Sequence, residues 1–180
     1  MEENSGVATT NTDHPFVKRI GWVWVLSGTL VLASFFMGQF QILSQSINGI
    51  DLIRALNKDS KEMMQFLGEF TTFMMYFSIL FAMFMGVWVL IKGVGVLIHG
   101  KMGKLRPTFI LCLVSVLLHF MTIMLLENGR GSGIMVLVRA KMNLEPAFGY
   151  YLALLEALGV AGSVLAYWYL QKRKSDELPS

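Results

Sequence analysis

Glu156 lies inside an apolar stretch from Tyr150 to Leu170, and His119 is the only Asp, Glu, Lys, Arg or His in another, from Thr108 to Leu126. A charge-bearing side chain in hydrocarbon is costly, so such residues turn toward protein, toward water or toward a partner. Gln39 and Gln41 stand near the end of a third apolar run and Tyr76 near the start of a fourth. With the four runs as helices crossing a bilayer in alternating directions, Glu156 sits roughly 9 Å in from Tyr150. His119, Gln39, Gln41 and Tyr76 then come to a similar depth on the other three helices. Two chemistries suit such a layer. One is a proton- or ion-binding site built on Glu156 and His119; the other, the commoner use of polar groups in a span, is a hydrogen-bonded knot that fixes helix packing or side chains reaching individually to interfacial water.

The remaining reactive residue types build less. The run Gly129-Arg-Gly-Ser-Gly133 lacks the strand before it, the helix after it and the spacing of a phosphate loop, and reads as a flexible turn. Cys112 is the single cysteine, so no internal disulfide, CxxC redox pair or thiolate metal cluster is available. His99 has no second ligand at metal spacing. Lys92 at the end of its apolar run suits snorkelling to lipid phosphates. The 13 methionines include Met74, Met75, Met83 and Met85 in one run, which suits adaptable packing rather than a copper ladder. No nucleophile–base pair, metal set or cofactor motif emerges, and the expectation is a protein that is not an enzyme.

The elements that carry these residues follow from composition. Among 180 residues 54% are hydrophobic and 15% charged, and the mean hydropathy is +0.57. A water-soluble domain of this length keeps about a quarter of its residues charged and cannot hide so much apolar surface. The runs 20–43, 70–91, 108–126 and 150–170 are each long enough to span ~30 Å of hydrocarbon as a helix. None alternates as a barrel strand would, and backbone groups in lipid must pair within their own segment. The predicted fold is therefore all-α: a polytopic four-transmembrane-helix bundle over residues 18–174, with tails at 1–17 and 175–180.

The net charge of +3 is spread in short clusters at the ends of the apolar runs, a pattern that suits a membrane surface and predicts no direct nucleic acid binding. Lys18 and Arg19, then Lys101, Lys104 and Arg106, then Lys172, Arg173 and Lys174 fall on one side of an even-numbered bundle. The other two loops mix signs. The positive-inside rule makes the basic side cytoplasmic, with both termini there. The run from residue 20 to 43 is too long for a signal peptide and no good cleavage site follows it.

Between the first two spans, Ile47, Ile50, Ile53 and Leu56 recur every third residue, which predicts a short surface helix. Asp59 and Glu62 suggest that the second helix starts near Ser60, with Gly68 as a place to bend. Ile134 to Val138 reads as an interfacial or re-entrant segment. Small residues mark close helix contacts: Gly86 and Gly93, one heptad apart, and in the last run Ala157, Gly159, Ala161, Gly162, Ser163 and Ala166. Whether the partner lies in the same chain or another is open at this stage.

The stretch Phe84-Met-Gly-Val-Trp-Val-Leu-Ile-Lys-Gly-Val-Gly-Val-Leu-Ile-His-Gly100, followed by a short basic turn, Pro107 and another apolar helix, resembles a known family. It is similar to the DotE/IcmC-type inner-membrane proteins of type IVB secretion systems and their conjugative relatives of the TraQ kind. The similarity covers roughly residues 70–170. The resemblance implies a structural subunit of a translocation machine in a bacterial inner membrane, held to other membrane subunits by helix contacts, with no catalytic residues or cofactor to carry over. The rival expectation is a small proton-coupled transporter using Glu156 and His119.

Overall fold

The computed structural model describes residues 15–42, 45–54, 69–128 and 145–176. Four long helices dominate it: α1 (Pro15–Ser34), α2 (Glu69–His99), α3 (Leu105–Asn128) and α4 (Phe148–Asp176). All four are long and apolar enough to cross a membrane. The shortest, with 20 residues, reaches roughly 30 Å at the α-helical rise. Phe73, Phe84, Leu117, Phe120 and Leu155 are all more than half exposed. In water such a surface would be an aggregation hazard; in lipid it is the ordinary outer face of a bundle.

The helices form a ring in chain order, α1 against α2, α2 against α3, α3 against α4 and α4 back against α1, with α1–α2 the most extensive pairing. That pairing rests on glycine. A Cβ at Gly28 would lie 2.7 Å from the Leu90 amide nitrogen, and one at Gly93 would lie 2.8 Å from that of Val25. Two glycines a heptad apart on each helix, Gly21 and Gly28 against Gly93 and Gly86, thus let the backbones meet. The sequence placed Gly86 and Gly93 on one face and left their partner open; the partner is α1.

At one end of the bundle a three-stranded antiparallel sheet, ordered β2-β1-β3, crosses the helix ends. It comprises β1 (Gly38–Ile42), β2 (Gln45–Asn48) and β3 (Glu145–Pro146). Residues 49–54 are helical. At the other end Gly100 takes a left-handed φ of 63°, and its amide bonds the Val96 carbonyl at 2.9 Å, which closes α2 and starts the basic turn.

Several boundaries differ from expectation. The first apolar run is not one helix to residue 43: α1 stops at Ser34 and the rest turns into β1. The reason is competition for the last carbonyls. Phe35 and Phe36 amides tighten onto Leu32 and Ala33, Met37 bonds Ser34 at 3.0 Å, and the Gln39 side-chain amide also donates to Ser34. Beyond that cap the backbone is satisfied by pairing with residues 45–48 and 145–146 instead. Ile47, expected on a surface helix, lies in β2, and the described residues after it, 49–54, are helical. The other spans run past the apolar cores predicted for them: α2 to His99, because beyond Lys92 it is apolar again from Val94 to Ile98, and α4 to Asp176, because its basic end stays helical. The expected features at Leu56, Ser60, Gly68, Gly129–Gly133 and Ile134–Val138, and most of both tails, lie outside the described residues.

Candidate functional site

The polar residues of the spans gather mainly near the sheet end, around Tyr150. Tyr150 is fully buried on the first turn of α4. Its ring packs between Phe40, at 5.1 Å between centroids, and the His119 imidazole, at 4.5 Å. Its hydroxyl lies 3.3 Å from Ser78 Oγ on α2 and 3.2 Å from the His119 carbonyl oxygen on α3. Ser78 spends its own proton on the Met75 carbonyl at 2.9 Å, so the Tyr150 O–H is the donor, shared between the two acceptors. One phenol thereby ties α2, α3 and α4 together.

His119 and its neighbours line the facing side of α3. Ser115, His119 and Thr122 are wholly buried, as their spacing of four and three residues along one helical face requires. His119 Nδ1 lies 2.8 Å from the Ser115 carbonyl oxygen. A carbonyl only accepts, so Nδ1 carries the hydrogen. Nε2 and the Ser115 hydroxyl have no hydrogen-bond partner among the described residues. Thr122 Oγ1 lies 2.9 Å from Leu118 O of its own helix and 3.3 Å from Met74 O across on α2.

The other four residues expected in the layer, Gln39, Gln41, Tyr76 and Glu156, serve separate ends. Gln39 is buried by the bulge in β1 between Gly38 and Phe40; the bulge turns the consecutive side chains of Gln39 and Phe40 inward while Gln41 faces out. There Gln39 caps α1, pressed against Gly149, where a Cβ would lie 2.8 Å from its amide nitrogen. Tyr76 Oη bonds the Leu52 carbonyl at 3.0 Å and fastens the 49–54 segment to α2. Glu156 is half-buried. The interior face of α4 is Tyr150, Ala153, Ala157, Val160 and Val164, and Glu156 stands at its edge, without a hydrogen bond or ion pair to any described residue.

Indole nitrogens make two further cross-links. Trp24 Nε1 donates to Ser163 Oγ at 2.7 Å, joining α1 to α4, and Trp88 Nε1 to Thr108 Oγ1 at 3.2 Å, joining α2 to α3. The small residues of α4 divide into two sets. Ala157 and Ala161 are buried in the bundle, and Ser163 takes the Trp24 bond. Gly159, Gly162 and Ala166 are exposed on the opposite side, and a Cβ added at Gly159 or Gly162 would meet nothing within 4 Å.

Of the residues expected in one layer, His119, Gln39 and Tyr76 are buried but serve different contacts, and the sequence reading missed Tyr150, which ties the helix of His119 to α2 and α4. Tyr150 stood at the margin of a predicted span, where a tyrosine ordinarily marks the interface. The Ser115, His119, Thr122 spacing was the readable signal for one polar face. Among the described residues, no group of three or more His, Cys, Asp or Glu side chains is placed to hold a metal ion. Comparison with protein-family models, with curated proteins and with solved structures finds no match.

Proposed function

We propose that this chain is a structural membrane subunit that works by helix–helix association, in an envelope translocation machine of the type IVB secretion or conjugation kind, in a bacterial inner membrane with both termini cytoplasmic. The observation that carries the association step is the divided use of small residues on α4. Ala157 and Ala161 are consumed inside the bundle, whereas Gly159, Gly162 and Ala166 open a shallow strip on the lipid-facing side with Glu156 near its edge. Helices associate in lipid by close backbone approach and a few hydrogen bonds, because lipid tails supply no hydrophobic drive. An outward small-residue strip beside a carboxylate suits a second transmembrane helix that brings a donor to Glu156. The resemblance at residues 84–100 points to the kind of machine, and the basic turn between α2 and α3 supports the orientation.

The test is purification of the full chain from its native membrane in mild detergent. Wild type co-purifies with a large complex; Gly159→Leu and Gly162→Leu release a folded, monomeric chain. A wild-type chain that runs alone contradicts the proposal.

The transporter alternative has one observation in its favour, the unpartnered Nε2 of His119. It also needs Glu156, which makes no bond to His119. Purified chain in liposomes is expected to carry no pH-driven flux that Glu156→Gln abolishes.

A further inference from the structure

At the end of the bundle away from the sheet, two clefts lie on either side of the turn that joins α2 to α3. The larger, about 630 Å³, opens between the turn and the last part of α4, where Tyr167 and Trp168 form one wall. The smaller, about 280 Å³, opens between the turn, Trp24 of α1 and the end of α2. Gly103, Lys104 and Leu105 belong to both, so the clefts are halves of one site divided by a single short wall. Sites of this size hold small-molecule groups.

The charge of the site has one sign. Lys104 and Arg106 line the larger cleft; Lys92, Lys101 and Lys104 line the smaller. No Asp or Glu among the described residues lines either. Lys101, Lys104 and Arg106 are exposed at their tips, so their charges stand in the layer where spanning helices leave the hydrocarbon. Lys92 is steered from below, its Nζ held 5.0 Å from the centre of the Trp88 ring. Beneath the cations the walls are apolar and aromatic: Trp24 and Val96 on one side, Trp168 on the other. Cations above aromatic and aliphatic walls at the bilayer boundary suit a ligand with a phosphate head and a hydrocarbon body.

We propose that the paired clefts bind the headgroup of an anionic phospholipid with two phosphates, of the diphosphatidylglycerol type. One phosphate sits with Lys104 and Arg106, the other with Lys92 and Lys101, and the linking glycerol crosses the wall at Gly103. A lipid with one phosphate fills one half and leaves the cations of the other uncompensated. The inference goes beyond the assembly reading and stands or falls apart from it, because the site lies within one chain.

Native mass spectrometry on the delipidated full-length chain tests it, with diphosphatidylglycerol, phosphatidylglycerol and phosphatidylcholine of matched acyl chains added back singly. Diphosphatidylglycerol is retained most tightly. Lys104→Gln and Arg106→Gln each weaken its binding by about fivefold, the value of one cation near an anionic surface, whereas Lys104→Arg keeps it and Arg54→Gln, exposed at the sheet end of the bundle, changes little. The exposed positions of Lys104 and Arg106 leave thermal unfolding in lipid-free detergent unchanged. Equal retention of phosphatidylglycerol or phosphatidylcholine overturns the proposal. So does displacement of the lipid by millimolar free glycerol phosphate, or an equal loss with Arg54→Gln.

Discussion

At Tyr150 a single hydroxyl meets two acceptors on two other helices, and its ring is held between Phe40 and His119. Interhelical hydrogen bonds in membrane proteins average about 0.6 kcal/mol, because the unfolded chain in the membrane also finds partners. Tyr150→Phe keeps the ring and loses only the bonds, and is expected to destabilise the bundle by roughly 0.5–1 kcal/mol. Tyr150→Ala also empties the space between Phe40 and His119 and is expected to cost about 3–5 kcal/mol. Equilibrium unfolding in mixed micelles measures both. In a double-mutant cycle, Tyr150→Phe with Ser78→Ala should cost less than the sum of the two, since each removes the same contact. Additive losses would show that the bond contributes nothing. The importance of Tyr150 was not legible in the sequence because it depends on which helices adjoin α4. His119 was legible, since any histidine within a span stands out against its neighbours. Glu156 stood out for the same reason, yet its place at the edge of the interior face follows from the rotation of α4, which no residue spacing fixes.

The four helices were legible as elements because apolar runs of the right length have few other uses. The end of α1 was not. Residues 35–43 are as apolar as the helix before them, and the break is set by the Gln39 cap and by strand partners at 145–146, about a hundred residues away. Strand β2 was hidden because its single isoleucine, Ile47, continues the three-residue spacing of Ile50 and Ile53, which lie in the helical segment that follows. Between elements, glycine decides. Gly28 and Gly93 admit backbone atoms 2.7–2.8 Å from where a Cβ would stand, whereas Gly95, on the same helix as Gly93, has open space around it. Gly28→Leu and Gly93→Leu should therefore force α1 from α2 and cost about 3 kcal/mol or more, above ordinary overpacking because backbone has to move. Gly95→Leu should leave the thermal midpoint in detergent near wild type. Equal loss at all three positions would refute the crossing at Gly21, Gly28, Gly86 and Gly93.

For the molecule as a whole, composition already required lipid, and an even number of spans required the basic clusters to share a side. The ring order of the helices came only with the structure, and with it the contrast between a sheet that closes one end and a basic cleft that opens the other. Cysteines introduced at Lys101 and at Gln45, both exposed, should react with a membrane-impermeant maleimide from opposite sides of sealed vesicles. Native Cys112, buried on α3, should stay silent until the chain is unfolded. Labelling of both new cysteines from the same side would remove the transmembrane layout and the assembly proposal with it.

The association face is tested most directly by photo-crosslinking in intact native membranes. A photoreactive side chain at Gly162, in the open strip of α4, should yield a discrete adduct with another membrane protein, and the same side chain at Leu117, exposed on α3, should yield only lipid. Lipid adducts alone at Gly162, or the same protein adduct at both positions, would contradict assembly through that face.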